Sequence, residues 1–150
     1  MADVRILVDA DACPVKEIIV KKAREKSIEV LMFVDVNHEI NDGYSKVFVV
    51  DQGRDSVDFV LIANIKVGDI VVTQDYGVAA IALAKKAKVI HPSGLVFSDG
   101  NIDRLLNERF MGQKQRRAGN FKSFGKKRSS QDNDSFSVGF SKIVNESRNI

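Results

Sequence analysis

Five short runs rich in β-branched residues, Val4 to Val8, Glu29 to Val34, Lys46 to Val50, Ile70 to Thr73 and Lys88 to Ile90, alternate with stretches whose apolar residues recur at helical spacing. This alternation constrains the fold more than any other feature. Parallel strands need a crossover of a dozen or more residues, and an intervening helix supplies it. Helices are predicted over 14–26, 55–65 and 75–86. Their inward faces carry Ile18, Ile19 and Ala23 on the first, Val57, Val60 and Leu61 on the second, and Val78, Ala79, Ala82 and Leu83 on the third. The expected fold class is α/β: three layers, with a mostly parallel central sheet and helices on both faces. Periodicity does not encode strand order, which stays open. A chain of 150 residues that is 44% hydrophobic is expected to form a single domain over 1–150.

The first run stops at two carboxylates in Leu7-Val8-Asp9-Ala10-Asp11-Ala12-Cys13-Pro14, with Pro14 placed to open a helix. Other acids follow later strands: Asp51, Asp55 and Asp58 after the third, and Asp75 after Val71, Val72 and Thr73. In a parallel sheet the C-terminal strand ends share one edge, so these acids are expected to face one crevice. Two unit charges about 4 Å apart repel by ~4 kcal/mol at an effective dielectric of 20. Such a cluster calls for shared protons or a divalent ion, and ligands that are all oxygen point to Mg²⁺ or Mn²⁺. Each acid also has a structural explanation. Asp11, Asp55 and Asp75 are suited to cap the first, second and third helices, and Asp51 is a turn residue beside Gly53. Asp9 is the hardest to explain so, because it directly follows a core strand yet lies too far before Pro14 to cap that helix.

Charge is segregated along the chain. Residues 1–103 carry twelve Lys or Arg and sixteen Asp or Glu, whereas residues 104–128 carry nine bases and only Glu108. A helix capped by Asn101, with Ile102, Leu105, Leu106, Arg109 and Phe110 on one face, is expected to end at Gly112. A flexible basic segment is expected over about 112–131. Its Arg116, Arg117, Lys126, Lys127 and Arg128, interleaved with Phe121 and Phe124, suit phosphate contact and base stacking. Asp134 or Ser135 then begins a last helix, over about 135–147, whose stripe of Phe136, Phe140, Ile143 and Val144 is expected to pack back on the body. The single cysteine excludes an internal disulfide, and Cys13 is read as a packing residue rather than a nucleophile. His38 and His91 fall in separate loops and are read as surface or turn residues. The sequence offers neither a membrane span nor a leader, so the expected compartment is the cytoplasm. No sequence feature selects an oligomeric state.

The motifs L-V-D-A-D-A-C-P-V, D-Q-G-R-D-S-V-D at 51–58, V-T-Q-D-Y-G-V-A-A at 72–80, N-I-D-R-L-L at 101–106 and R-R-A-G at 116–119 make the chain resemble the bacterial YaiI/YqxD family. They also resemble those of PIN-like and NYN nuclease domains, whose acids follow the first strand, lie in a mid-domain helix and follow a later S/T-x-D turn. That resemblance implies a PIN-like fold with Asp9, Asp58 and Asp75 as catalytic acids. Asp11 is an added metal ligand, Thr73 and Asp55 support the site, and Asp99 or Asp103 is a candidate fourth acid. The implied activity is metal-dependent phosphodiester cleavage of RNA. Two alternatives stand beside it. The Asp-x-Asp strand end is also similar to the opening motif of haloacid-dehalogenase-like phosphatases, with Asp9 as nucleophile, Asp11 as acid and Lys85 or Lys86 as cation; the other alternative is a non-catalytic RNA-binding module.

Overall fold

The computed structural model describes residues 4–11, 13–36, 39–51, 54–117, 128 and 130–148, the side chains of 54, 55, 113–117 and 148 excepted. Six strands, β1 (Arg5–Asp9), β2 (Glu29–Asp35), β3 (Lys46–Val50), β4 (Ile70–Val72), β5 (Lys88–Ile90) and β6 (Val96–Phe97), form one sheet in the order β3-β2-β1-β4-β5-β6. All pairings are parallel except β5 with β6. The helices are α1 (Lys16–Lys26), α2 (Arg54–Asn64), α3 (Tyr76–Ala84), α4 (Ile102–Arg117) and α5 (Ser130–Arg148). The α/β class and three-layer arrangement expected from the alternation are thus the ones observed.

Strand alternation divides the core into two halves. Ile6, Val8, Val30, Met32, Val34, Ile70, Val72 and Ile90 point to one face, where Ile19 and Ala23 of α1 and Phe136, Phe140, Ile143 and Val144 of α5 cover them. Leu7, Leu31, Phe33, Val71 and Val89 point to the other, beneath Val57 and Leu61 of α2, Val78, Ala79 and Ala82 of α3, and Ile102 and Leu105 of α4. β1, β2, β4 and β5 are buried on both faces, which is why they read as continuous apolar runs, whereas the edge strand β3 is partly exposed. No described helix is long and apolar enough to cross a membrane.

At the N-terminal edge of the sheet, charge is closed on itself. Asp69, 2% exposed, takes the Nε and one terminal nitrogen of Arg5 at 3.1 and 2.6 Å and also accepts from the Lys66 N–H. The fork geometry makes this a strong pair, and removing one partner would strand the other as a buried charge.

Several helix boundaries differ from those predicted, α2 and α3 by one or two residues. Helix α1 begins at Lys16, leaving Pro14 in the turn before it. Helix α4 does not stop at Gly112 but continues to Arg117, and a Cβ built on Gly112 meets nothing within 4 Å. That glycine is an interior helical residue rather than a terminator, so Gly112→Ala is expected to stabilise the fold by about 0.5–1 kcal/mol in urea denaturation. A destabilised variant would show that the site is constrained after all. Helix α5 begins at Ser130, ahead of the predicted caps Asp134 and Ser135, and the basic segment expected over 112–131 is helical at 112–117 and from 130 onward. Lys126, Lys127 and His38 lie outside the described residues.

Helix α5 is seated by a close backbone contact. Gly94, with φ +97°, turns the chain between β5 and β6, and an added Cβ would lie 2.7 Å from the carbonyl carbon and oxygen of Ser135. Gly139, one helical turn along, would bring a Cβ within 3.1 Å of the Gly94 carbonyl. Two glycines therefore let α5 approach the turn closely enough to bury Phe136 and Phe140, whose rings stack with centroids 5.2 Å apart.

Candidate functional site

The order of strand addition in β3-β2-β1-β4-β5 reverses at the β1/β4 boundary while the strands stay parallel: β2 and β3 are added on one side of β1, and β4 and β5 on the other. In open parallel sheets this is where a crevice opens outside the carboxyl ends. Asp9 ends β1, and Thr73 directly follows β4 on the adjoining strand. The Thr73 hydroxyl donates to Asp9 Oδ2 at 3.1 Å and accepts from the Asp75 N–H at 3.0 Å. One buried hydroxyl, 1% exposed, thus links the two acid-bearing segments across the reversal. Asp75 caps α3, its Oδ1 accepting the Val78 N–H at 3.0 Å. Gly77 leaves room for that carboxylate, since a Cβ there would lie 3.1 Å from Asp75 Oδ1.

Alternation places Asp9 on the face of Leu7, the face that α2, α3 and α4 cover. Asp58 is half-buried in the second turn of α2, between the core residues Val57 and Leu61, and α2 begins close to where β3 ends. Asp9, Asp58, Thr73 and Asp75 therefore belong to one face and one edge of the sheet. Asp55 is in the first turn of α2 and Arg116 and Arg117 are in the last turn of α4, but their side chains lie outside the described residues.

Asp11 is not the helix cap that the sequence suggests. Both of its oxygens accept the Asp35 N–H, at 3.1 and 3.3 Å, tying the turn after β1 to the end of β2. It does not cap α1, whose N-cap is Val15. Asp99 and Asp103 are exposed and lie toward the opposite edge, because β6 runs antiparallel and carries the chain away from the strand ends where Asp9 sits. The acid that sequence reasoning missed is Asp35, which ends β2 beside the Asp9 strand. The signal was present, since Phe33-Val34-Asp35 repeats the apolar run into aspartate of Leu7-Val8-Asp9.

Carboxylate and hydroxyl oxygens suit a hard divalent cation. Among the described residues, however, no three His, Cys, Asp or Glu side chains stand grouped closely enough to hold one. The donor chemistry fits Mg²⁺ or Mn²⁺, and Thr73 links the Asp9 carboxylate to the Asp75 backbone N–H.

Cys13 is buried, and burial is the main force pushing its thiol up to about 11, so it is poorly suited to be a nucleophile. Arg128, expected to grip phosphate, donates to the Pro92 carbonyl at 2.8 Å and to Asn133 Oδ1 at 2.9 Å, which joins the β5–β6 turn to α5.

The sequence profile of the uncharacterised YaiI/YqxD family matches residues 7–146. The chain is 58% identical over 132 residues to a UPF0178 protein of Ruminiclostridium cellulolyticum, covering 88% of this chain and 86% of that one. It is 49% identical over 144 residues to a UPF0178 protein of Clostridium novyi, covering 96% and 97%. No solved structure matches the chain.

Proposed function

The chain belongs to the YaiI/YqxD family, and from that premise and the strand-end geometry we propose that it is a metal-dependent phosphodiesterase acting on RNA. The observation that carries this reading is the Thr73 hydroxyl linking the Asp9 carboxylate to the Asp75 backbone N–H where the order of strand addition reverses. Asp9, Asp58 and Asp75 would hold Mg²⁺ or Mn²⁺, which when bound supplies Lewis-acid activation of water and neutralises charge on the phosphate. The chain itself supplies orientation. Thr73 fixes the Asp9 carboxylate, and the N-cap bond to Val78 fixes that of Asp75. Arg116, Arg117, Lys126, Lys127 and Arg128 would grip the RNA backbone, a contact that weakens as salt rises.

The phosphatase alternative needs Asp11 to face the same substrate atom as Asp9. The engagement of Asp11 with the β2 end argues against that role.

The test is incubation of the full chain with single-stranded oligoribonucleotides in Mn²⁺ or Mg²⁺, with and without chelator. Internal cleavage that requires the ion is the expected result. Salt-sensitive binding with no turnover under any ion would instead select the non-catalytic RNA-binding module.

A further inference from the structure

Next to Thr73, on the side away from Asp9, the sheet edge changes sign. Val72 pairs with Ile90, and the Thr73 N–H donates to the Ile90 carbonyl at 3.2 Å, so His91 stands beside Thr73. Alternation puts His91 on the face of Val89, the face that Asp9 also shares. At about 4.8 Å per strand, Asp9 and His91 lie roughly 10 Å apart along the edge. His91 packs edge-on to Tyr76 and Phe97, with centroids 6.3 and 6.1 Å away. The Arg109 guanidinium lies 5.5 Å above the Tyr76 ring, which holds a long side chain in place through cation–π attraction. Arg128 is fixed from the other direction by Pro92 and Asn133.

We propose that His91, Arg109 and Arg128 form a phosphate-binding subsite at the β5 end of the crevice. Assigning this phosphate to a polynucleotide rests on the reading above; the subsite itself does not. The Ser93 N–H donates to His91 Nδ1 at 3.0 Å, so the ring presents Nε2–H as its donor. The guanidinium charges of Arg109 and Arg128 lie close enough to act on that ring, and among the described residues neither has a carboxylate partner. The His91 pKa is below its ordinary value, first from burial and then from the positive charge of Arg128 and Arg109. Two guanidinium charges beside a neutral imidazole donor repel each other, and a phosphate relieves that repulsion while accepting from the ring N–H. From sequence, His91 reads as a surface or turn residue and Arg109 as part of a helix face, because their meeting depends on strand order.

The test titrates inorganic phosphate into the full chain, in chelator, while following the His91 ring resonances by NMR. A saturable shift is expected, weakened about tenfold by Arg109→Gln, the order expected for loss of one charge-assisted contact. Arg109 is exposed, so the variant should fold; Arg104→Gln on the same helix, which loses only a pair with Glu108, should leave the titration unchanged. Absence of saturation, or an equal loss in both variants, overturns the subsite. A second arm measures binding of oligoribonucleotides carrying a 5′-phosphate, a 3′-phosphate or neither. A loss in Arg109→Gln confined to one end-phosphorylated RNA marks a terminal phosphate, and an equal loss for all three marks an internal phosphodiester. Phosphate binding with no RNA binding keeps the subsite and removes the nucleic-acid reading.

Discussion

Asp9→Asn is expected to lower ion-dependent RNA cleavage by about a thousandfold or more while leaving the protein folded. Losing one group that acts on developing charge in a preorganised site costs about 10²–10³ in rate, and an acid that also holds the ion should cost at least as much. The substitution keeps the size of the side chain and an oxygen able to accept the Thr73 hydroxyl, so the β1/β4 junction should persist. It also removes one negative charge from an edge that carries Asp11, Asp35, Asp58 and Asp75. In chelator the variant should therefore be as stable as the parent or slightly more so, by up to about 1 kcal/mol. The two effects have opposite signs, and that combination separates a ligand from a structural cap. Parallel loss of activity and of thermal stability would assign Asp9 a structural role, and undiminished cleavage would remove it from the site.

The largest effect on folding is expected at Gly94. Alanine there meets two costs: a positive φ that L side chains rarely adopt, and a Cβ 2.7 Å from the Ser135 carbonyl, a separation that real structures do not show. Overpacking of this kind costs about 1–3 kcal/mol, and the left-handed backbone adds about 1–2 kcal/mol more. Helix α5 must lift to accommodate it. Each of Phe136 and Phe140 then stands to lose part of a burial worth up to about 3 kcal/mol. A loss of about 3 kcal/mol or more is a large fraction of the 5–15 kcal/mol typical of a domain, and should lower Tm by about 6–12 °C. Gly112→Ala, in open space on α4, is the control of opposite sign. A Gly94→Ala variant within about 0.5 kcal/mol of the parent would contradict the close seating of α5. Because Asn133 of α5 holds Arg128 beside the β5–β6 turn, the same variant should also disturb the His91 neighbourhood.

The parts of the fold that could be read from sequence are those set by local pattern. β3 and β5 fall within the predicted limits, and β1, β2 and β4 within one residue of them, because β-branched runs buried on both faces leave a strong signal. β6 could not be read, since its two residues pair only where the Gly94 turn folds them back and the His91 N–H reaches the Leu95 carbonyl. Gly112 misled because a glycine after an apolar stripe commonly ends a helix, whereas here α4 runs on to Arg117 and a Cβ at that position would meet nothing within 4 Å. The start of α5 was placed late because Ser130 to Ser135 are polar and look like a cap region.

The site divides in the same way. Asp9 and Asp75 were found because each stands at or just past the end of an apolar strand run, while Asp35 was passed over because β2 was ended one residue early. His91 looked like a loop residue. Only the order β1-β4-β5 reveals that it stands next to Thr73, and strand order is carried by long-range packing rather than by any local run of residues. Asn101 illustrates a further limit. It does precede α4 as a cap would, but its side chain turns back to Ser98 and Val96 and fastens the loop instead of the helix.

The central claim is that the edge where β1 meets β4 takes a divalent ion between acids from separate segments. An anomalous difference map from crystals soaked in Mn²⁺ tests it without any assumed substrate. The account predicts a peak contacted by Asp9 and Asp75 and lost in Asp9→Asn crystals. A map with no peak at that edge, or with manganese bound only elsewhere on the surface, would contradict it.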